Sequence, residues 1–184
     1  MEDIWKVHKK KIIGALIFLL LVAMIYVYYR MKKMAKNKGI TQSTIDFLKE
    51  EEGVRTDVYK DIAGKDTVGV GHLVLPADGL KFGDIISEQK VDSFLKADAK
   101  TAADCVNAKV TRTLNQSQFD ALVALVYNIG CGAFASSTVR KYLNDSKVSD
   151  KNIKTAWHSW NRAGGKYVDA LFNRRVRETD LFFS

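Results

Sequence analysis

The chain has 184 residues and a formal net charge of +8, from 29 Lys+Arg against 21 Asp+Glu. Hydrophobic residues make up 47% of it, which excludes wholesale disorder, and a single proline excludes a proline-rich or collagen-like chain. The charge is unevenly spread: residues 1–38 hold nine Lys/Arg and two acids, and residues 39–184 hold twenty and nineteen. The globular part is therefore nearly neutral, and a nucleic-acid partner is not expected.

Residues 12–29, IIGALIFLLLVAMIYVYY, carry no charge. As a helix they would span about 27 Å, close to the hydrocarbon thickness of a bilayer. Lys9, Lys10 and Lys11 flank the stretch on one side, and Arg30, Lys32, Lys33 and Lys36 on the other. Trp5 and Tyr26, Tyr28 and Tyr29 stand near its ends, where amphipathic rings favour the membrane interface. The stretch is longer than a signal-peptide core of about 7–15 residues, and no small-x-small pair follows it. The expected organisation is a basic N-terminus (1–11), a transmembrane anchor (12–29), a basic juxtamembrane linker on anionic lipid (30–39), and one globular domain (40–184). Basic residues lie on both sides, so charge alone does not orient the span.

In the globular part, Ser43 with Asp46 reads as the start of a helix with Ile45, Phe47 and Leu48 on its apolar side, ended by Gly53. An extended stretch from Asp57 to Ile62, a turn at Ala63–Asp66 and a strand from Thr67 to His72 read as a hairpin. On its second strand Val68, Val70 and His72 share one face. Thr67, Gly69 and Gly71 share the other, which would leave backbone open to a ligand.

Ser87 caps a long amphipathic helix through Val91, Phe94, Leu95, Ala99, Ala102 and Val106. Asn115 and Gln118 form a capping box before the apolar run Phe119–Tyr127, which reads as a central core helix stopped by Gly130 and Gly132. Shorter helices follow near 138–143, 150–160 and 170–183. The layout is α+β: a small lobe containing the hairpin, then a longer all-α lobe, joined by the helix after Ser87.

Glu50, Glu51 and Glu52 crowd the C-terminal end of the first globular helix, where the macrodipole disfavours anions. Crowding and partial burial would raise the pKa of one of them and make it a general acid. Asp61 ends the next strand and can activate a water, and the Thr67 hydroxyl can hold that water. Such a set suits hydrolysis of a glycosidic bond with inversion. A solvated glutamate face and an ordinary turn aspartate are the plainer alternatives.

The spacing Glu52-x8-Asp61-x5-Thr67, within EEGVRTDVYKDIAGKDTVGVGH, resembles the catalytic signature of phage-type lysozymes of glycoside hydrolase family 24. The resemblance continues through Asn115–Leu122, Tyr127–Gly130, Gly132–Phe134, Ser137–Thr138, and Trp160 with Ala163–Lys166. It ends in Leu171 and Asn173–Glu178, so it covers about residues 40–184. It implies a lysozyme-like two-lobe fold and an endolysin that cleaves the β-1,4 bond between N-acetylmuramic acid and N-acetylglucosamine in the peptidoglycan glycan strand.

By motif position Glu52 would be the general acid. Asp61 would act on water or on the developing oxocarbenium ion, and Thr67 would position the water. Leu73, Tyr127 and Ser137 are candidate substrate contacts, each with packing or capping as its alternative. Glu50 and Glu51 are expected to be solvated. No cofactor and no metal are expected, since His72 and His158 show no ligand spacing. Arg174, Arg175 and Arg177 read as an ion-paired or solvated helix face.

A lysozyme domain behind an uncleaved span resembles the signal-anchor-release endolysins. This implies a monomeric, single-pass protein of the host inner membrane, N-terminus in the cytoplasm and catalytic domain in the periplasm. In that oxidising compartment Cys105 and Cys131, about 26 residues apart, can form a disulfide. The anchor has one Gly, two Ala and no Cys, and is otherwise rich in Leu, Ile, Val, Phe and Tyr. It is therefore expected to stay in lipid rather than leave it readily. A virion-associated or wall-remodelling lysozyme that stays tethered, and a non-catalytic wall-binding protein, are the competing readings.

Overall fold

The computed structural model describes residues 2–61 and 64–184, and for 2–7, 9–11 and 31–36 the backbone alone. The chain divides into two units, Met1–Asn37 and Lys38–Ser184.

The first unit is one helix, α1 (Glu2–Lys36). Its stretch Ile12–Arg30 is long and apolar enough to cross a membrane and buries none of itself in protein. Apolar side chains point outward on every side, from Ile13 at 45% exposed to Phe18 at 66%. A helix that is apolar all round suits lipid rather than the surface of a soluble core. The basic segment expected as a linker from residue 30 continues the helix to Lys36, since no Gly or Pro interrupts it before Gly39. The side chains of Trp5, Lys9, Lys10, Lys11, Lys32, Lys33 and Lys36 lie outside the described residues.

The second unit opens with α2 (Gln42–Glu52). Its N-cap is Thr41, in a reciprocal box with Thr44, and not Ser43 as the Ser-x-x-Asp pattern indicated. Thr44 is itself buried and donates its hydroxyl to Asp120 at 2.6 Å, and Ile45 and Leu48 are fully buried beside it. Gly53 ends the helix at φ 77°, ψ 166°, outside the left-handed helical basin. Three antiparallel strands follow in the order β1 (Arg55–Lys60), β2 (Asp66–Gly69) and β3 (His72–Leu73). Tyr59 pairs with Thr67, and Thr67 with Leu73. Ile62 and Ala63, the expected strand end and turn start, lie outside the described residues.

The second strand is shorter than expected. It stops at Gly69, where φ is +67°, and turns through Gly71 at +78°. The glycines serve the turn, and a Cβ on Gly69 would sit 3.5 Å from a methyl of Val91. The face read as open to a ligand is thus closed at Gly69 by the following helix. Val68, Val70 and His72 are buried, as their alternation indicated.

Ser87 caps α3 (Glu88–Lys109), a 22-residue helix that packs on β2 and β3 at one end and on the helical lobe at the other. The central helix α4 (Gln116–Ile129) carries both arms of the Asn115–Gln118 box and buries every residue from Phe119 to Val126. At about 1.5–3 kcal/mol for each large apolar side chain removed from water, this run is the main apolar contribution to the lobe. Around it lie α5 (Cys131–Ser136), α6 (Thr138–Leu143), α7 (Asp150–His158) and α8 (Asp169–Phe182). Gly130 ends α4, whereas Gly132 lies inside α5 and stops nothing. A two-residue hairpin, β4 (Arg162–Ala163) with β5 (Lys166–Tyr167), precedes α8 and turns on Gly164 and Gly165. Cys105 of α3 and Cys131 of α5 are joined by a disulfide, with Cα atoms 5.8 Å apart.

Candidate active site

Glu52 is the last residue of α2, Asp61 follows β1, and Thr67 is the second residue of β2. The turn between β1 and β2 brings Asp61 and Thr67 to one peptide. The backbone N–H of Lys65 donates to Asp61 Oδ1 at 2.9 Å, and the Thr67 hydroxyl donates to the Lys65 carbonyl at 3.2 Å. Thr67, 5% exposed, thereby spends its proton on the backbone and keeps its lone pairs free to accept. Leu73, paired with Thr67 across β2–β3, is 42% exposed on the same face of the sheet.

Glu52 is held from the far end of the chain. Arg174 of α8 donates through Nη1 to Glu52 at 2.7 Å. The neighbouring Glu51, expected in solvent, is instead gripped at both oxygens by Arg177, at 2.6 and 2.8 Å, with its carboxylate covered. Glu50 is exposed. The glutamate cluster is therefore organised by two arginines of α8 rather than by mutual crowding.

Behind this contact lies a buried network. Glu178 is fully buried and accepts from Trp157 Nε1 at 2.7 Å, Arg174 Nε at 3.1 Å and Arg175 Nη2 at 2.8 Å. Burial pushes the Glu178 carboxyl up, and the two guanidiniums and the indole pull against it. Arg175 also donates to Asn128 Oδ1 of α4 at 3.1 Å. The arginines are ion-paired, as the sequence indicated, but Arg174 and Arg175 are buried rather than at the surface. The reach of Arg174 to Glu52 was not visible from sequence. Only the local i,i+4 spacing of Arg174 and Glu178 was.

A second cluster braces the sheet. His72 is bound by Asp98 at Nδ1 (2.8 Å) and by Asp78 at Nε2 (3.2 Å), and stacks on Phe94 with ring centroids 3.9 Å apart. His158 bonds Thr179 Oγ1 at 2.9 Å, and burial holds its imidazole below the ordinary value. Neither histidine belongs to a group of three His/Cys/Asp/Glu placed to hold a metal among the described residues. Tyr127, at the end of α4, donates its hydroxyl to the Val70 carbonyl at 3.0 Å. Burial raises its phenol, the charges of Asp98 and Glu52 raise it further, and that of Arg174 opposes them. Ser137 is buried and its hydroxyl caps α6 by accepting from the Arg140 N–H at 3.0 Å, which is the capping alternative.

The Phage lysozyme family model matches residues 49–178, a span that contains Glu52, Asp61, Thr67 and the arginine network. The chain belongs to the phage lysozyme family. Within that family it is similar to the endolysin of Salmonella phage P22, with 40% identity over 146 residues that cover 79% of this chain and 98% of the relative. It is also similar to a SAR-endolysin of bacteriophage PS119, with 32% identity over 71% of this chain and 75% of the relative. A crystal structure of a P22 lysozyme mutant superposes with TM-score 0.72 at 38% identity, covering 80% of this chain and 99% of that one. The chain spans about half the length of the endolysins it matches from Bacillus phages B103 and PZA, 54% and 55%. The fold is that of the phage lysozymes: a helix-rich α+β domain with a small antiparallel sheet, here together with one N-terminal apolar helix.

Proposed function

We propose that this chain is a membrane-anchored endolysin that hydrolyses the β-1,4 bond between N-acetylmuramic acid and N-acetylglucosamine in peptidoglycan. The observation that carries the reading is the coupling of Asp61 and Thr67 through Lys65 on one side, with Glu52 fixed by Arg174 on the other. A glycosidic oxygen needs a proton as it leaves, and Glu52 is the carboxyl assigned to give it. A water that donates to the Thr67 hydroxyl is oriented beside Asp61. Asp61 takes its proton or, with the same charge, stabilises the oxocarbenium ion. Leu73 and Tyr127 are the assigned sugar contacts, and Ser137 caps α6.

The apolar helix α1 is assigned to the host inner membrane as a single pass with the catalytic unit in the periplasm, monomeric and without a cofactor. Its high apolar content favours a form that stays tethered over one that leaves the bilayer readily. SAR-endolysin relatives support an anchored role in phage host lysis.

The test is clearing of purified peptidoglycan by the full chain in detergent micelles, with the anomer of the new reducing end followed by NMR. The parent is expected to clear the wall and Glu52→Gln to lose at least about 100-fold in rate. A folded parent that clears nothing overturns the enzyme, and a Glu52→Gln variant that clears equally well overturns the acid assignment.

A further inference from the structure

Next to Tyr127 is a half-enclosed pocket of about 190 Å³ that the reaction above does not use. Asp98 and Thr101 of α3 form its polar side. Ala102, Val126, the Tyr127 ring and Cys131 form its apolar side. The disulfide between Cys105 and Cys131 ties together the two helices, α3 and α5, that supply opposite walls. At this size it lies below the roughly 300–1,000 Å³ of a typical small-molecule site, so it takes one side-chain-sized group and not a disaccharide.

The charge of the pocket is defined by its bracing cluster. Asp98 Oδ2 lies 2.8 Å from Nδ1 of His72, and no hydrogen bond joins its Oδ1 to another of the described residues. Asp78 holds the other nitrogen of the same imidazole. Two carboxylates share one histidine, and the charge of Lys90 acts on Asp78. No lysine or arginine pairs with Asp98 among the described residues, and its side chain is 32% exposed. A short apolar channel ending at a partly solvated carboxylate is complementary to an alkylammonium group.

We propose that this pocket is a subsite for a primary ammonium on a short aliphatic chain, the side chain of a diamino acid in the peptide stem of uncross-linked wall. The assignment rests on the glycosidase reading. Tyr127 joins the two sites, since it lines the pocket and its hydroxyl donates to the carbonyl of Val70, directly after the strand that carries Thr67. Binding there would draw the enzyme to stretches of glycan whose stems carry free amines.

The experiment compares the full chain in detergent on purified peptidoglycan before and after chemical N-acetylation of its amines. KM on the free-amine wall is expected to be about fivefold lower than on the acetylated wall, the scale of one partly exposed charge-assisted contact. Thr101→Phe fills the pocket from an exposed position of α3 without adding charge. It is expected to bring that ratio to about one, whereas a bulk electrostatic preference for the wall would persist in the variant. Equal KM values for the parent, or a ratio that survives Thr101→Phe, overturn the subsite while leaving hydrolysis itself standing. A parent that clears neither wall overturns the glycosidase reading and the subsite with it. The parent comparison needs no variant, so poor folding of Thr101→Phe leaves it decisive.

Discussion

Nη1 of Arg174 lies 2.7 Å from Oε1 of Glu52, and so the last helix holds the assigned acid on the first helix of the catalytic unit. The same guanidinium donates to Glu178 and, through Nη2 at 3.3 Å, to the Ala124 carbonyl of α4. Arg174→Ala removes all three bonds and leaves the buried Glu178 with one counter-charge fewer. The expected cost is about 2–4 kcal/mol in stability. A further loss of about tenfold or more in rate is expected in the protein that remains folded, because Glu52 is no longer oriented. Arg174→Lys keeps the charge but not the planar fork, and should fall between the two. Urea unfolding and initial clearing rates check this. A variant with parental rate would show that Glu52 needs no such support.

Asp61→Asn separates chemistry from structure at the β1–β2 turn. An amide oxygen still accepts from the Lys65 N–H, and the backbone bonds of Asp61 to Lys65 and Gly64 remain, so the turn should persist. The negative charge is lost, and with it the group that acts on water or the oxocarbenium ion. A rate loss of at least about 100-fold is expected in the folded variant. A stable variant with near-parental rate removes Asp61 from the mechanism.

The elements were legible where local rules agree with tertiary packing. Asn115 with Gln118, followed by eight consecutive buried residues, left little choice for α4, and Ser87 fixed the start of α3. Legibility failed where two local signals compete or where the deciding contact is remote. Ser43 with Asp46 carried the local cap signal, yet Thr41 takes the cap with Thr44, whose hydroxyl is bound to the remote Asp120. The glycines after Thr67 read as an open face because sequence does not reveal Val91 against Gly69. At the site, the spacing pointed to the three residues assigned to the reaction, but Arg174 on Glu52 and Arg177 on Glu51 are meetings of distant segments with no periodic trace. The β4–β5 hairpin escaped because two-residue strands carry no alternation.

The His72 cluster predicts an acid-sensitive component of stability. The Leu75 N–H, at 2.7 Å, and then His72 hold the Asp78 carboxyl below its ordinary value. In the window from the unfolded value, about 3.9, down to the folded one, the unfolded chain binds more protons, so stability rises with pH there. The contribution is fully present above the unfolded value and is lost as pH falls through the folded value. Asp78→Asn should therefore flatten the stability profile below about pH 4 relative to the parent. Thermal midpoints measured by circular dichroism from pH 2 to 6 test it, and parallel profiles would contradict it.

The disulfide between α3 and α5 should be a stabilising staple. In the chain-entropy view a loop of this size contributes about 2–4 kcal/mol. Reduction of the purified protein, or the pair Cys105→Ser with Cys131→Ser, should lower the thermal midpoint by several degrees, on the order of 5–15 °C for a domain of this size. The effect of reductant should vanish in the double variant. The double variant should also weaken the preference for free-amine wall, because the linkage fixes two walls of the Asp98 pocket.

The final prediction concerns where the protein stays. From Ile12 to Tyr29 the helix exposes apolar side chains on every side and has one glycine and two alanines to weaken its partition into lipid. Leu, Ile, Phe and Val each favour insertion by about 0.3–0.6 kcal/mol at the centre of a span, and this helix has no charged residue there to offset them. After expression, the intact chain should therefore remain in the membrane pellet through carbonate extraction, with a reporter at the C-terminus active in the periplasm. Replacing Leu19 and Leu20 by glycine lowers the insertion energy and should shift a measurable fraction to the soluble periplasmic pool, more so after the membrane is depolarised. If most of the unaltered chain were soluble in the periplasm of energised cells, α1 would be a readily released anchor and the apolar composition would have been overruled by something other than partition.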